Sequence, residues 1–68
     1  MMKLNEFVSV LSGVEVEVIN IFDSKIIYKG MASGIKRNAK MFKKYEVTGV
    51  ISDKEASYDL QIGVTKER

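Results

Sequence analysis

The chain has no cysteine and no histidine. The first absence excludes a disulfide framework and any thiolate metal site, and it suits a reducing cytoplasm. The second removes the side chain most used as a general base near neutral pH, so a nucleophilic serine or threonine would depend on a carboxylate or on a lysine deprotonated by burial. Proline is missing as well, and no low-complexity tract or internal repeat interrupts the chain. With 46% hydrophobic residues and charges of both signs, the composition is that of a folded domain rather than a disordered tail. No apolar run approaches the ~20 residues that span a bilayer. The start, Met1-Met2-Lys3-Leu4-Asn5-Glu6, lacks a long apolar stretch and a small-residue cleavage site, so the chain reads as soluble, cytoplasmic and unprocessed.

Signatures of chemistry are equally sparse. No nucleophile elbow, glycine-rich phosphate loop or zinc spacing occurs, and the expectation is a non-enzymatic protein without metal or cofactor. Glu15 and Glu17 share a strand face and have the spacing of paired carboxylates, but nothing near them in sequence is suited to raise the pKa of one, which favours a solvated strand face. Asp53 and Glu55 supply hard oxygen ligands, yet two carboxylates in a short turn fall well short of a calcium loop.

What is present is a single domain of 68 residues, near the lower limit at which a hydrophobic core offsets conformational entropy without metal or disulfide help. Self-association relieves that limit. Leu4, Phe7, Val8 and Leu11 follow helical spacing, and Gly13 stands where a left-handed cap is commonly needed, predicting a short helix over 3–12. Val14, Val16 and Val18 alternate with Glu15 and Glu17 until Ile19 and Ile21 make the second face apolar too, so the strand changes environment along its length. Asp23-Ser24 is turn-like, and Ile26 to Ala32 completes a first hairpin.

From Ile35 the period changes to that of a helix. At 100° per residue, Ile35, Ala39 and Phe42 lie within about 60° of one another, while Lys36, Arg37, Lys40, Lys43 and Lys44 fill an arc of about 120° opposite them. Ser33 is the expected N-cap, and Lys43 and Lys44 suit the C-terminal end of the dipole. Tyr45 to Ile51 and Tyr58 to Val64 then alternate around a turn-like Ser52-Asp53-Lys54-Glu55, giving a second hairpin and the order αββαββ. Gly30, Gly49 and Gly63 each interrupt an expected strand, as at bulges, bends or close backbone approaches. They favour an α+β fold in which a strongly bent four-stranded antiparallel sheet, or a partly open small barrel, is capped by helices. A flat sheet with both helices on one face is the competing arrangement.

The run VEVEVINIF, a turn, IIYKGMA, a spacer, YEVTGVI and SYDLQIGV resembles small uncharacterised proteins carried by phages and prophages of Gram-positive bacteria, over nearly the whole chain. That resemblance brings no activity with it. The layout is also similar to the Sm and SH3-like small barrels. Sm-type RNA sites use an aspartate and an asparagine in one loop, whereas the spacer GMASGIKRNAKMFKK offers Asn38 and no acid, so no Sm binding residue carries over.

Five of the nine residues from Lys36 to Lys44 are basic and none is acidic, while the rest of the chain carries six basic against nine acidic side chains. The chain therefore has a basic pole. Lysines at i and i+4 repel by roughly 0.2–0.5 kcal/mol per pair in an isolated helix, a cost that calls for an explanation. One is a charge-complementary contact with a protein: a second copy, through acidic residues such as Glu15, Glu17, Asp53, Glu55 and Asp59, or another acidic partner. Another is salt-sensitive binding of nucleic acid phosphates by Lys36, Arg37, Lys40, Lys43 and Lys44, with the ring of Tyr45 beside the cations for stacking. The third is a plain solvated face. Tyr28, Tyr45 and Tyr58 otherwise read as strand residues that bury the ring and leave the hydroxyl wet. Membrane-surface binding is disfavoured, because the core claims Ile35, Ala39 and Phe42. The resulting expectation is a protein-interaction module that self-associates or binds a host protein, with a nucleic-acid-binding module as the alternative.

Overall fold

A computed structural model describes residues 2–52 and 57–66. The expected turn residues Asp53, Lys54 and Glu55 lie outside them. Along the chain run α1 (Leu4–Val8), β1 (Glu15–Asn20), β2 (Lys25–Met31), α2 (Ala32–Arg37), α3 (Ala39–Phe42), β3 (Tyr45–Ile51) and β4 (Leu60–Lys66). The fold is α+β, as the alternating and helical spacings imply.

The four strands form one sheet in the order β2-β1-β4-β3. Both expected hairpins are present, β1 with β2 and β3 with β4, each antiparallel. The all-antiparallel arrangement is corrected at the junction between them: β1 runs parallel to β4, with Val16 opposite Leu60 and Val18 opposite Ile62. The cause is the crossover. After β2 the chain passes through α2 and α3 before it enters β3 at the far edge, which returns β4 to the centre beside β1. This brings together the strands with the most apolar inner faces, Val16 and Val18 on one and Ile62 and Val64 on the other, all fully buried. The sheet is mixed and does not close, since β2 and β3 remain its edges.

The helices supply the other wall of the core. Leu4, Val8, Ala32, Ile35 and Phe42 are buried with the four central-strand residues, and Phe7, Leu11, Tyr28, Tyr45 and Val47 pack around them. Before α1 the chain lies along β3, where Lys3 bridges Glu46 and the Val47 amide donates to the Met2 carbonyl at 2.8 Å. Among the described residues this covers only the first half of that edge.

Helix boundaries differ from the periodicity. The first helix ends at Val8 rather than near residue 12, and tight i+3 bonds follow from Val10 to Phe7 and from Leu11 to Val8. Gly13 then takes the left-handed conformation, φ +66°, at the entry to β1. Ala32 belongs to α2, not to the strand before it, and its amide donates to the Val14 carbonyl at 2.9 Å. Ser33 lies inside the helix; Met31 occupies the N-cap position without a side-chain bond.

Candidate interaction surfaces

The basic segment is not one helix. Asn38, with φ −115° and ψ 40°, separates α2 from α3. Its side chain explains the break: Nδ2 donates to the Gly34 carbonyl at 2.8 Å while its backbone N–H donates to the Ile35 carbonyl at 3.1 Å, closing the end of α2. The interruption rotates the following residues. Ile35 and Phe42 are buried as the helical spacing requires, but Ala39 is exposed, and Met41 beside it is 70% exposed.

Lys36, Arg37, Lys40, Lys43 and Lys44 are all exposed. Lys36 is tethered, its Nζ donating to the Leu11 carbonyl at 2.5 Å, which ties α2 to the turn after α1. Arg37, Lys40, Lys43 and Lys44 form no hydrogen bond or ion pair with a described residue. Beneath them Phe42 sits between two tyrosines, edge-on to Tyr28 at 5.7 Å and tilted against Tyr45 at 6.4 Å. The Tyr28 hydroxyl donates to the Met31 carbonyl at 2.6 Å. Tyr45 is half-buried against the core, so part of the ring expected beside the cations is already occupied by Phe42.

Among the described residues the acidic candidates are engaged within the sheet. Glu17 is not a solvated strand residue: it is 9% exposed, accepts a hydrogen bond from Gln61 Nε2 at 2.9 Å, and lies 4.0 Å from Lys29 Nζ. Residues 29, 17 and 61 are register neighbours across β2, β1 and β4, so the sheet itself assembles this polar row. Glu15 is half-buried, and Asp59 is engaged with the Glu15 backbone, its Oδ2 accepting from the Glu15 amide at 2.9 Å. Asp53 and Glu55 lie outside the described residues.

A second surface was not singled out by charge or motif. On the face of the sheet turned away from the helices, Gly49 pairs with Gly63 and leaves a floor without side chains. Ile19, Ile21 and Ile51 wall it, with Thr48 and Gln61 at the rim, and together they enclose an open cavity of ≈ 190 Å³. The Ile21 Cγ2 methyl lies 3.1 Å from where a Gly63 Cβ would stand, so this glycine permits close approach. Ile21 is 50% exposed, Ile51 60% and the adjoining Phe22 81%. Among the described residues no helix covers this face. Its trace in the sequence was the change at Ile19 and Ile21, where both faces of the first strand become apolar, together with the two strand glycines. Register alone brings them into one groove.

Among the described residues no three carboxylates converge as a metal site, and no helix is long and apolar enough to cross a membrane. No family model, curated protein or solved structure matches the chain.

Proposed function

We propose that this chain is a small non-enzymatic protein-interaction module that self-associates or binds a host protein, in the manner of a phage or prophage accessory factor. The observation that supports this reading most is the uncovered apolar face. Single exposed apolar residues are ordinary on a protein surface, but Ile21 and Ile51 line one groove together with Ile19 rather than standing scattered. Leaving such a face in water forgoes stabilisation that a partner restores. The test is affinity capture from lysate with nuclease treatment, read by mass spectrometry, beside sedimentation of the purified chain. A discrete oligomer, or a protein complex that is lost when Ile21 and Ile51 are changed to serine, is the expected result. A strict monomer that retains no protein overturns the reading.

A second reading rests on the four cations of α2, α3 and the turn after them that have no partner among the described residues. Arg37, Lys40, Lys43 and Lys44 are held over a buried Phe42 and bear on solvent, a geometry suited to phosphate contact with little sequence preference. It requires binding to single- or double-stranded nucleic acid that falls steeply with salt and is largely lost when these four become glutamine. No binding at low salt removes it.

A further inference from the structure

We infer that one end of the sheet is a seat for single-stranded nucleic acid, on which the Phe22 ring stacks a base while Lys25, Lys43, Lys44 and Lys66 hold the flanking phosphates. This rests on the second, nucleic-acid reading and names its substrate class and its ring. Register assembles the end. Lys25 stands opposite Asn20 on β1, Asn20 opposite Val64 on β4, and Lys66, two residues further, opposite Tyr45, the first residue of β3 after Lys43 and Lys44. The Ile21 amide continues this pairing by donating to the Val64 carbonyl at 3.1 Å, so the turn that carries Phe22 leaves the sheet at the end where β3 enters it. Only β4 lies between β1 and β3 there, a separation of about 10 Å at two strand spacings.

Ring and cations are both available. Phe22 is 81% exposed, whereas Tyr45, the ring expected beside the lysines, packs against Phe42. The Phe22 amide donates to Asn20 Oδ1 at 2.9 Å and the Ser24 N–H to the Asn20 carbonyl at 2.8 Å, so the ring stands on an ordered turn and loses little further freedom on binding. The four lysines are exposed, and none has a hydrogen-bond or ion-pair partner for its ammonium group among the described residues. The acids at this end do not cancel them. Asp23 Oδ1 accepts from the Lys25 amide at 3.0 Å, Glu46 is half-buried opposite Thr65, and Glu67 and Arg68, which follow Lys66 in sequence, offset each other in formal charge. Four lysines against two carboxylates leave the end positive.

A single strand fits this end better than a duplex or a bilayer. A stacking ring needs a base face, which a single strand presents and a duplex shows only after its bases are unstacked. Lysine, the only cation type among the four, meets phosphates as a point charge and imposes little sequence preference. A membrane surface would attract the same lysines, but the apolar area on offer is small. Phe22 stands between Asp23 and Ile21, half of which is already covered, with its Cγ2 methyl 3.1 Å from where a Gly63 Cβ would be. One phenyl ring falls well short of what stable interfacial anchoring takes.

Fluorescence anisotropy of the full chain with a short labelled oligothymidylate, and with a duplex of the same length, is the test, across a series of salt concentrations. Phe22→Ala is expected to raise the dissociation constant for the oligothymidylate about 5- to 100-fold without altering its salt dependence, and Phe22→Tyr to keep the binding. Lys44→Gln and Lys66→Gln should each reduce the steepness of log K against log salt by about 0.7, the single-strand value for one phosphate. These side chains are exposed, and an unchanged circular dichroism spectrum checks that each variant folds. No oligonucleotide bound at low salt overturns the inference together with the second reading. Binding that is lost on neutralising Arg37, Lys40, Lys43 and Lys44 but is insensitive to Phe22→Ala, or that favours the duplex, overturns the inference and leaves that reading standing. If Phe22→Ala weakens binding to phosphatidylserine vesicles and not to oligothymidylate, the end meets a bilayer and the inference falls as well.

Discussion

The two faces of the sheet are built from the same strands and from residues of similar hydrophobicity, yet they have opposite fates. On the inner face Val16, Val18, Ile62 and Val64 are fully buried beneath the helices. On the outer face Ile19 is half-buried, and Ile21 and Ile51 stand half or more in water around bare glycines. Hydrophobic content therefore does not distinguish them. What does is which face a described helix covers: among the described residues α1, α2 and α3 all pack on one side. The outer face is divided in turn: near Glu17 it is closed by a hydrogen-bonded polar row, and beyond the register shift between Val18 and Ile19 it becomes the apolar groove.

Truncating one isoleucine on each face should break the apparent equivalence most sharply. Ile62→Ala leaves a void under the helices and should cost about 2–5 kcal/mol. Against a total of about 3–10 kcal/mol for a 68-residue domain, that is enough to unfold much of the population. Ile51→Ser, at a position 60% exposed, should change the stability of the isolated chain by no more than about 0.5 kcal/mol. Urea unfolding of both variants at low protein concentration checks the pair; an equal loss would mean that the outer face is covered within one chain.

Gly34→Ala probes how tightly the inner layer is assembled. A Cβ there collides with the Tyr28 hydroxyl and approaches Tyr28 Cζ to 3.0 Å. Tyr28 cannot yield cheaply, because its hydroxyl is bonded to the Met31 carbonyl and its ring meets Phe42 edge-on. Overpacking of this kind costs about 2–3 kcal/mol, of which alanine's better helix propensity returns about 1. The expected net loss is about 1–2 kcal/mol. Tyr28→Phe in the same chain should recover part of it, and thermal unfolding of the single and double variants measures that coupling.

Much of this layering is legible in the sequence, and the parts that are not have identifiable causes. The helical spacing of Leu4 and Val8 and the alternation of Val16 and Val18 name buried residues directly, because period and burial are local consequences of backbone geometry. Ile35 and Phe42 are named correctly for the same reason. Ala39 is not, because the Asn38 side chain competes for a helix carbonyl and resets the phase. The parallel pairing of β1 with β4 has no local signature, since it depends on where a crossover deposits β3. Glu17 reads as solvated until Gln61, 44 residues away, arrives beside it. The basic residues are obvious as composition, whereas the groove requires two glycines from different strands to meet in register.

The polar half of the outer face should respond more modestly. Glu17→Ala leaves the Gln61 amide without its acceptor at a partly buried site, an expected loss of about 1–2 kcal/mol. Glu17→Gln keeps an oxygen acceptor and gives up chiefly the attraction to Lys29, whose side chain is 48% exposed, so it should lose well under 1 kcal/mol. Denaturant midpoints that fall equally for both would assign the row's worth to charge rather than to the hydrogen bond.

The smallest effect lies in the turn between the two halves of the first hairpin, and it has the opposite sign. Ser24 is held at φ 59°, in the left-handed region, where a Cβ crowds the following carbonyl at a cost of about 1 kcal/mol. Glycine relieves that crowding but is freer in the unfolded chain, so Ser24→Gly should stabilise by about 0.5 kcal/mol at most. The Asn20 and Asp23 side-chain bonds to the turn do not involve the Ser24 side chain and should survive. Self-association should then be unchanged by Ser24→Gly even as the unfolding midpoint rises. A midpoint that falls instead would show that the freedom glycine gains in the unfolded chain outweighs the relief of crowding at this position.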